Sequence, residues 1–164
     1  MEFSLRRFVT AKFLMFLSSL TPAVSGEASD AQRFSTTDDS ANPFGPLLAR
    51  NRATDLGGVQ AVCGGADTAT RGDARWETYP LKLEFTGPGD AYLSFAHVSL
   101  TDLKGQGVLS VRCPGAWLLL GLPAGEYKAL VGTPGAMDQT IGFVVPPTGQ
   151  KTLVVRFPAA NTGR

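Results

Sequence analysis

Trp117-Leu-Leu-Leu-Gly-Leu-Pro-Ala-Gly-Glu-Tyr-Lys-Ala-Leu-Val131 decides how this chain is read. It spells strand, turn, strand. Pro123 presets φ for the first central position of a β-turn, and Gly125 falls where a type I turn favours glycine. Tyr127, Ala129 and Val131 then alternate with Glu126 and Lys128, the period-two pattern of a half-buried strand.

Working outward toward the C-terminus, Thr133-Pro-Gly-Ala136 reads as a loop. Ile141, Phe143 and Val145 face inward on the next strand, which Pro146-Pro-Thr-Gly149 stops, and Leu153, Val155 and Phe157 form the last one. Toward the N-terminus, Cys113-Pro-Gly115 makes a corner after Val108–Val111. Asp102-Leu-Lys-Gly-Gln-Gly107 turns the chain back to Tyr92–Leu100, where Ala96, Val98 and Leu100 point inward and His97 and Ser99 outward. Leu81, Leu83 and Phe85 alternate ahead of Gly87-Pro-Gly-Asp90. Seven short strands at this spacing predict an all-β fold, a seven-stranded antiparallel Greek-key β-sandwich over residues 79–158.

This order, with Leu-Pro-Ala-Gly-Glu-Tyr at 122–127, resembles the carboxypeptidase regulatory-like domains of the transthyretin-like superfamily. The Tyr92-Leu93 strand, the Asp102 to Gly105 turn and Phe143-Val-Val-Pro146 are similar as well. The resemblance covers residues 79–158 and implies a fold, not an activity, because such domains accompany many unrelated functions. It implies that Leu122 and Tyr127, flanking Pro123 and Gly125, are structural and pack between the sheets.

The remainder of the 164 residues reads as extensions of one domain. Residues 1–26 have the form of an export signal: Arg6, Arg7 and Lys12, then Phe13-Leu-Met-Phe-Leu-Ser-Ser-Leu20, then small residues at Ala23-Val-Ser-Gly26. That apolar run is well short of the roughly 20 residues that span a bilayer, so no integral membrane span is expected in the mature chain. Residues 27–55, rich in Ser, Thr, Asp and Ala, read as a flexible tether. Within it lies an apolar island, Asn42-Pro-Phe-Gly-Pro-Leu-Leu48, suited to docking on the domain or on a partner. Gly57-Gly58-Val59 opens the ordered part, and residues 56–78 are expected to pack on the sandwich as an N-terminal extension. A short helix over Ala66–Trp76, capped by Asp67, would be anchored by Trp76. Residues 159–164 form a tail.

The expected location is periplasmic or secreted. In an oxidising compartment the even pair Cys63 and Cys113 suits one disulfide; two separately buried thiols are the alternative. Apolar residues make up 43% and charged ones 18%, too apolar for a disordered chain. Formal charge is +1, and without the leader 12 basic residues face 13 acidic ones. That balance leaves no electrostatic footprint for nucleic acid or an anionic membrane.

Catalytic chemistry is poorly supplied. A single histidine, His97, cannot build a histidine zinc site, and no His-Glu-x-x-His occurs. No Gly-x-Ser-x-Gly elbow is present, and Gly105-Gln-Gly107 lacks the helix and lysine of a phosphate loop. Asp67 and Asp73 lack calcium-loop spacing. The reading is therefore a non-enzyme with no catalytic residue, cofactor or metal site.

Two surface features could bind. Leu118, Leu120, Leu130, Val144 and Val154 fall on the opposite phase from the inward sets. They predict an apolar outer face, either docking an envelope protein or a second copy, or covered by residues 42–76. Trp76, Tyr92 and Trp117 could instead form a stacking platform, the basis of a carbohydrate- or cell-wall-binding alternative. A third reading is an accessory subunit of an envelope enzyme.

Overall fold

The computed structural model describes residues 42–159 apart from 68, 69 and 71, all within one compact unit. The proposed leader (1–26), residues 27–41 of the tether and residues 160–164 of the tail lie outside the described residues. The fold is an all-β sandwich with nine strands among the described residues, not seven. They are β1 (Ala53–Leu56), β2 (Val59–Gly64), β3 (Leu81–Thr86), β4 (Ala96–Asp102) and β5 (Gly107–Cys113), followed by β6 (Trp117–Leu120), β7 (Gly125–Gly132), β8 (Gln139–Val145) and β9 (Lys151–Arg156). One sheet has the order β1-β2-β6-β3-β9 and the other β5-β4-β7-β8. The pairing is not wholly antiparallel: β3 and β9 run parallel, Leu83 opposite Leu153.

The two additional strands come from residues assigned to the tether and the extension. Gly57 and Gly58, at φ +66° and +94°, form a two-residue turn that pairs β1 with β2, because only glycine takes these angles without steric cost. Asp55 Oδ1 accepts from the Gly58 N–H at 2.9 Å and closes the turn. β2 then inserts beside β6, Cys63 opposite Leu118. Residues 53–64 are thus part of the sheet itself, neither flexible nor merely packed on it.

β6 corrects the phase expected for its leucines. All four residues of Trp-Leu-Leu-Leu are buried. Leu118 and Leu120 point into the core between the sheets, with Leu83, Phe85, Val98, Val131 and Phe143. Trp117 and Leu119 point the other way, joining Val62 in a second apolar cluster under Trp76 and Tyr79. The Trp76 and Trp117 rings lie 5.9 Å apart, so Trp76 anchors its segment as expected. That segment is a 3-10 turn, Ala74–Thr78, and Asp73 caps it by accepting from the Arg75 N–H at 3.0 Å. Asp67 accepts from the Thr70 N–H at 2.7 Å.

The Leu122–Tyr127 corner carries the chain from one sheet to the other, since β6 and β7 belong to different layers. Leu122 is buried. Tyr127 is half-buried, stacks on Phe143 with ring centres 5.9 Å apart, and donates its hydroxyl to the Pro123 carbonyl at 3.0 Å. A tyrosine that reaches back to the backbone just upstream locks such a crossing.

The two flanks of the sandwich differ. On one, the Cys63–Cys113 disulfide joins β2 to β5, with Cα atoms 5.4 Å apart. Residues 42–50 run along the same flank as a strap, bridging to Arg112 of β5 and Cys63 of β2. On the other flank, β8 and β9 are joined by residues 146–150, and Gln139 Nε2 donates to the Arg156 carbonyl at 2.7 Å.

Candidate functional site

The apolar island at 42–48 does dock on the domain, and half of it remains exposed. The Leu48 N–H donates to the Arg112 carbonyl and the Arg112 N–H to the Pro46 carbonyl, both at 2.9 Å, so the strap continues the sheet beyond β5. Leu48 is buried beneath it. Gly45 is required here: φ is +75°, and a Cβ would lie 1.9 Å from the Ser110 carbonyl oxygen. Arg112 Nε donates to the Gly45 carbonyl at 3.1 Å.

This close seating places Phe44 over His97, with ring centres 4.1 Å apart. His97 belongs to β4 and points to the outer face, as its phase predicts, but the strap half-buries it. Its Nε2 lies 3.2 Å from Asp138 Oδ1, without the alignment of a hydrogen bond. Gly132, opposite His97 on β7, makes room for the pair. A Cβ there would lie 2.0 Å from Asp138 Oδ1 and 2.2 Å from His97 Cε1.

Phe95, just before β4, completes the wall. Its φ is +62°, a genuine outlier for an aromatic residue. Holding it there costs about 1–3 kcal/mol, and the ring stands 57% exposed. Strap, β4 and the 133–138 loop together enclose a groove of about 530 Å³, lined chiefly by Phe44, Leu47, Phe95, His97, Arg112 and Asp138. Phe44 and Leu47 are 39% and 48% exposed, so three large apolar side chains surround one imidazole–carboxylate pair. No serine or cysteine is among the lining residues, and the wall hydroxyl of Thr133 donates to the Ser94 carbonyl at 3.2 Å. The groove's chemistry is apolar contact with two or three polar fixing points, the usual make-up of a recognition site.

The residues expected to bind are scattered. Leu118 and Leu120 are fully buried and leave the proposed face. Leu130 and Val144 stand exposed on the four-stranded sheet, whereas Val154 stands on the five-stranded one. They do not form one surface. The sugar platform does not assemble either, since Trp117 is 1% exposed beneath Trp76. The cysteines are brought together as proposed. The groove is legible only in part: the island reads as a docking segment, but His97 reads as a lone outward-pointing strand residue without a role, and nothing in the local pattern joins residue 44 to residue 97. Among the described residues no group of three or more His, Cys, Asp or Glu could hold a metal ion, and no helix is long and apolar enough to cross a membrane.

No protein-family model matches the chain, and no curated protein does. Among solved structures it is similar to one described as "The Bacillus anthracis TIE protein", at 18% identity and a TM-score of 0.39. The alignment covers 48% of this chain and 16% of that one, so this chain matches about a sixth of its neighbour's length. A likeness of that extent carries no statement about the groove.

Proposed function

We propose that the chain is an exported, non-catalytic β-sandwich module that holds another protein of the cell envelope in the groove between the strap and β4. The observation that carries this reading is the exposure of Phe44, Leu47 and Phe95 around His97 and Asp138. Aromatic anchors ringed by a few polar groups are the usual centre of a protein contact. The backbone strain at Phe95 supports it further, because strained residues cluster at binding sites. Export by residues 1–26 to the periplasm or beyond is part of the proposal, and the disulfide supports an oxidising destination. So is membership of the carboxypeptidase regulatory-like group, supported by the tyrosine-locked corner at 122–127.

The test is co-purification from the native envelope with wild type, Phe95→Asp and Leu47→Asp, using Val154→Asp on the other sheet as control. A partner retained by wild type and the control, and lost by both groove variants, is the expected result. Retention by all four proteins would remove the groove from the interaction.

A further inference from the structure

The chain has two tryptophans, Trp76 and Trp117, and the indole nitrogen of each is buried without a hydrogen-bond partner. Orphaned buried donors are rare, because each gives up its bonds to water and gains none in return. Here the two stand beside one cavity. It lies on the outer face of the five-stranded sheet and has a volume of about 120 Å³. Trp117 and Leu119 of β6, Lys82 of β3, Trp76 and Glu77 of the 3-10 turn, and Gln150 line it. Trp117 is 1% exposed, so its N–H has no other outlet.

The fold fixes the polar groups around the two indoles. Gln150 Nε2 donates to the Trp76 carbonyl at 2.6 Å and to the Tyr79 carbonyl at 2.9 Å. Both amide hydrogens are thereby used, and Oε1 is the end left to accept. Lys82 Nζ is neutralised by Glu84 Oε1 at 2.8 Å. Asp73, also on the cavity wall, is paired with Arg75, and Glu77 adds a carboxylate at the exposed rim.

These groups sort the ligands by chemistry. An anion would meet Asp73 and Glu77 beside a lysine that is already paired. An ammonium ion donates only and cannot take up an indole N–H. A metal ion finds no group of three or more His, Cys, Asp or Glu among the described residues. An apolar guest would leave both indoles unmet. A hydroxyl group accepts and donates at once, and it is neutral. Volume narrows the choice further. At about 30 Å³ per water molecule, the space equals that of about four waters, enough for a short polyol and too little for a whole pyranose ring.

We propose that this cavity binds a short neutral polyol of glycerol size. Two of its hydroxyl oxygens accept from Trp76 Nε1 and Trp117 Nε1, one hydroxyl donates to Gln150 Oε1, and its C–H groups lie against Leu119 and the indole rings. The site is distinct from the groove, whose β4 and β5 residues belong to the other sheet.

Because the chain has no other tryptophan, the indole N–H signals of its proton–nitrogen NMR spectrum report on this cavity alone. Glycerol titrated into the full chain is expected to shift both signals saturably. Propan-1-ol, acetate and methylammonium, which lack paired hydroxyls or carry charge, are expected to shift neither. Gln150→Met, similar in shape, should raise the glycerol concentration at half-saturation about three- to tenfold, the worth of one hydrogen bond. Far-UV circular dichroism confirms that the variant is folded, and the comparison of probes on the wild type stands without it. Indoles served by water alone would show no saturable shift, and that result would overturn the proposal. So would an equal response to any of the other three probes, a response to methyl glucoside as strong as that to glycerol, or an unaltered half-saturation in folded Gln150→Met.

Discussion

Gly64 stands where a side chain would collide with an indole: a Cβ would lie 1.8 Å from the Trp117 ring, its cross-strand partner. Gly64→Ala is therefore expected to destabilise by about 1–3 kcal/mol, the cost of overpacking, seen as a lower urea midpoint with the slope unchanged. Tyr127 separates two contributions. Tyr127→Phe removes only the hydrogen bond to Pro123 and should cost about 1 kcal/mol. Tyr127→Ala also removes the stacking on Phe143 and should cost about 3 kcal/mol. Equal losses in the two variants would mean that the ring contributes nothing. The Asp73 carboxyl is held below its ordinary value, first by the Arg75 side chain and then by the Arg75 N–H. A depressed carboxyl stabilises above its unfolded-chain value and loses that contribution as pH falls through the folded one. The cap at Ala74 should thus loosen only in acid, below about pH 4. Carbon NMR should place the Asp73 titration under that of a peptide aspartate; a midpoint at or above it would contradict the capping geometry.

At the scale of the element, the disulfide joins two sheets that share no backbone ladder at that flank. By the chain-entropy model a loop of 50 residues stabilises by about 4 kcal/mol. The double variant Cys63→Ala/Cys113→Ala should lose about 2–4 kcal/mol in a denaturant titration, and wild type should show no titratable thiol when denatured without reductant. What the sequence displayed, and what it hid, also divides by element. β3, β4 and β7 to β9 alternate, and their inward residues were readable one by one. β2 and β6 are buried on both faces, so Val-Gln-Ala-Val-Cys and Trp-Leu-Leu-Leu show almost no alternation from which a phase could be taken. For that reason the sequence pattern points Leu118 and Leu120 outward and reads β2 as part of an extension. The Gly57-Gly58 pair was the available signal for a β1–β2 hairpin. The groove had no such signal, because its walls come from residues 44, 97 and 138, which only the fold brings together.

Across the whole molecule, the disulfide and the strap fasten one and the same flank of the sandwich. The order in which the sheet is laid down has its own consequence. β2 is hydrogen-bonded to β6 through Cys63 and Leu118, and β3 to β9 through Leu83 and Leu153. Chains that depend on such distant pairings fold slowly, since loop closure precedes any gain. A polypeptide emerging N-terminus first therefore exposes Ala61, Val62 and Cys63 long before Trp117–Leu120 arrive to shield them. During synthesis these residues stay unpartnered until β6 has followed, and the five-stranded sheet is complete only once β9 is free.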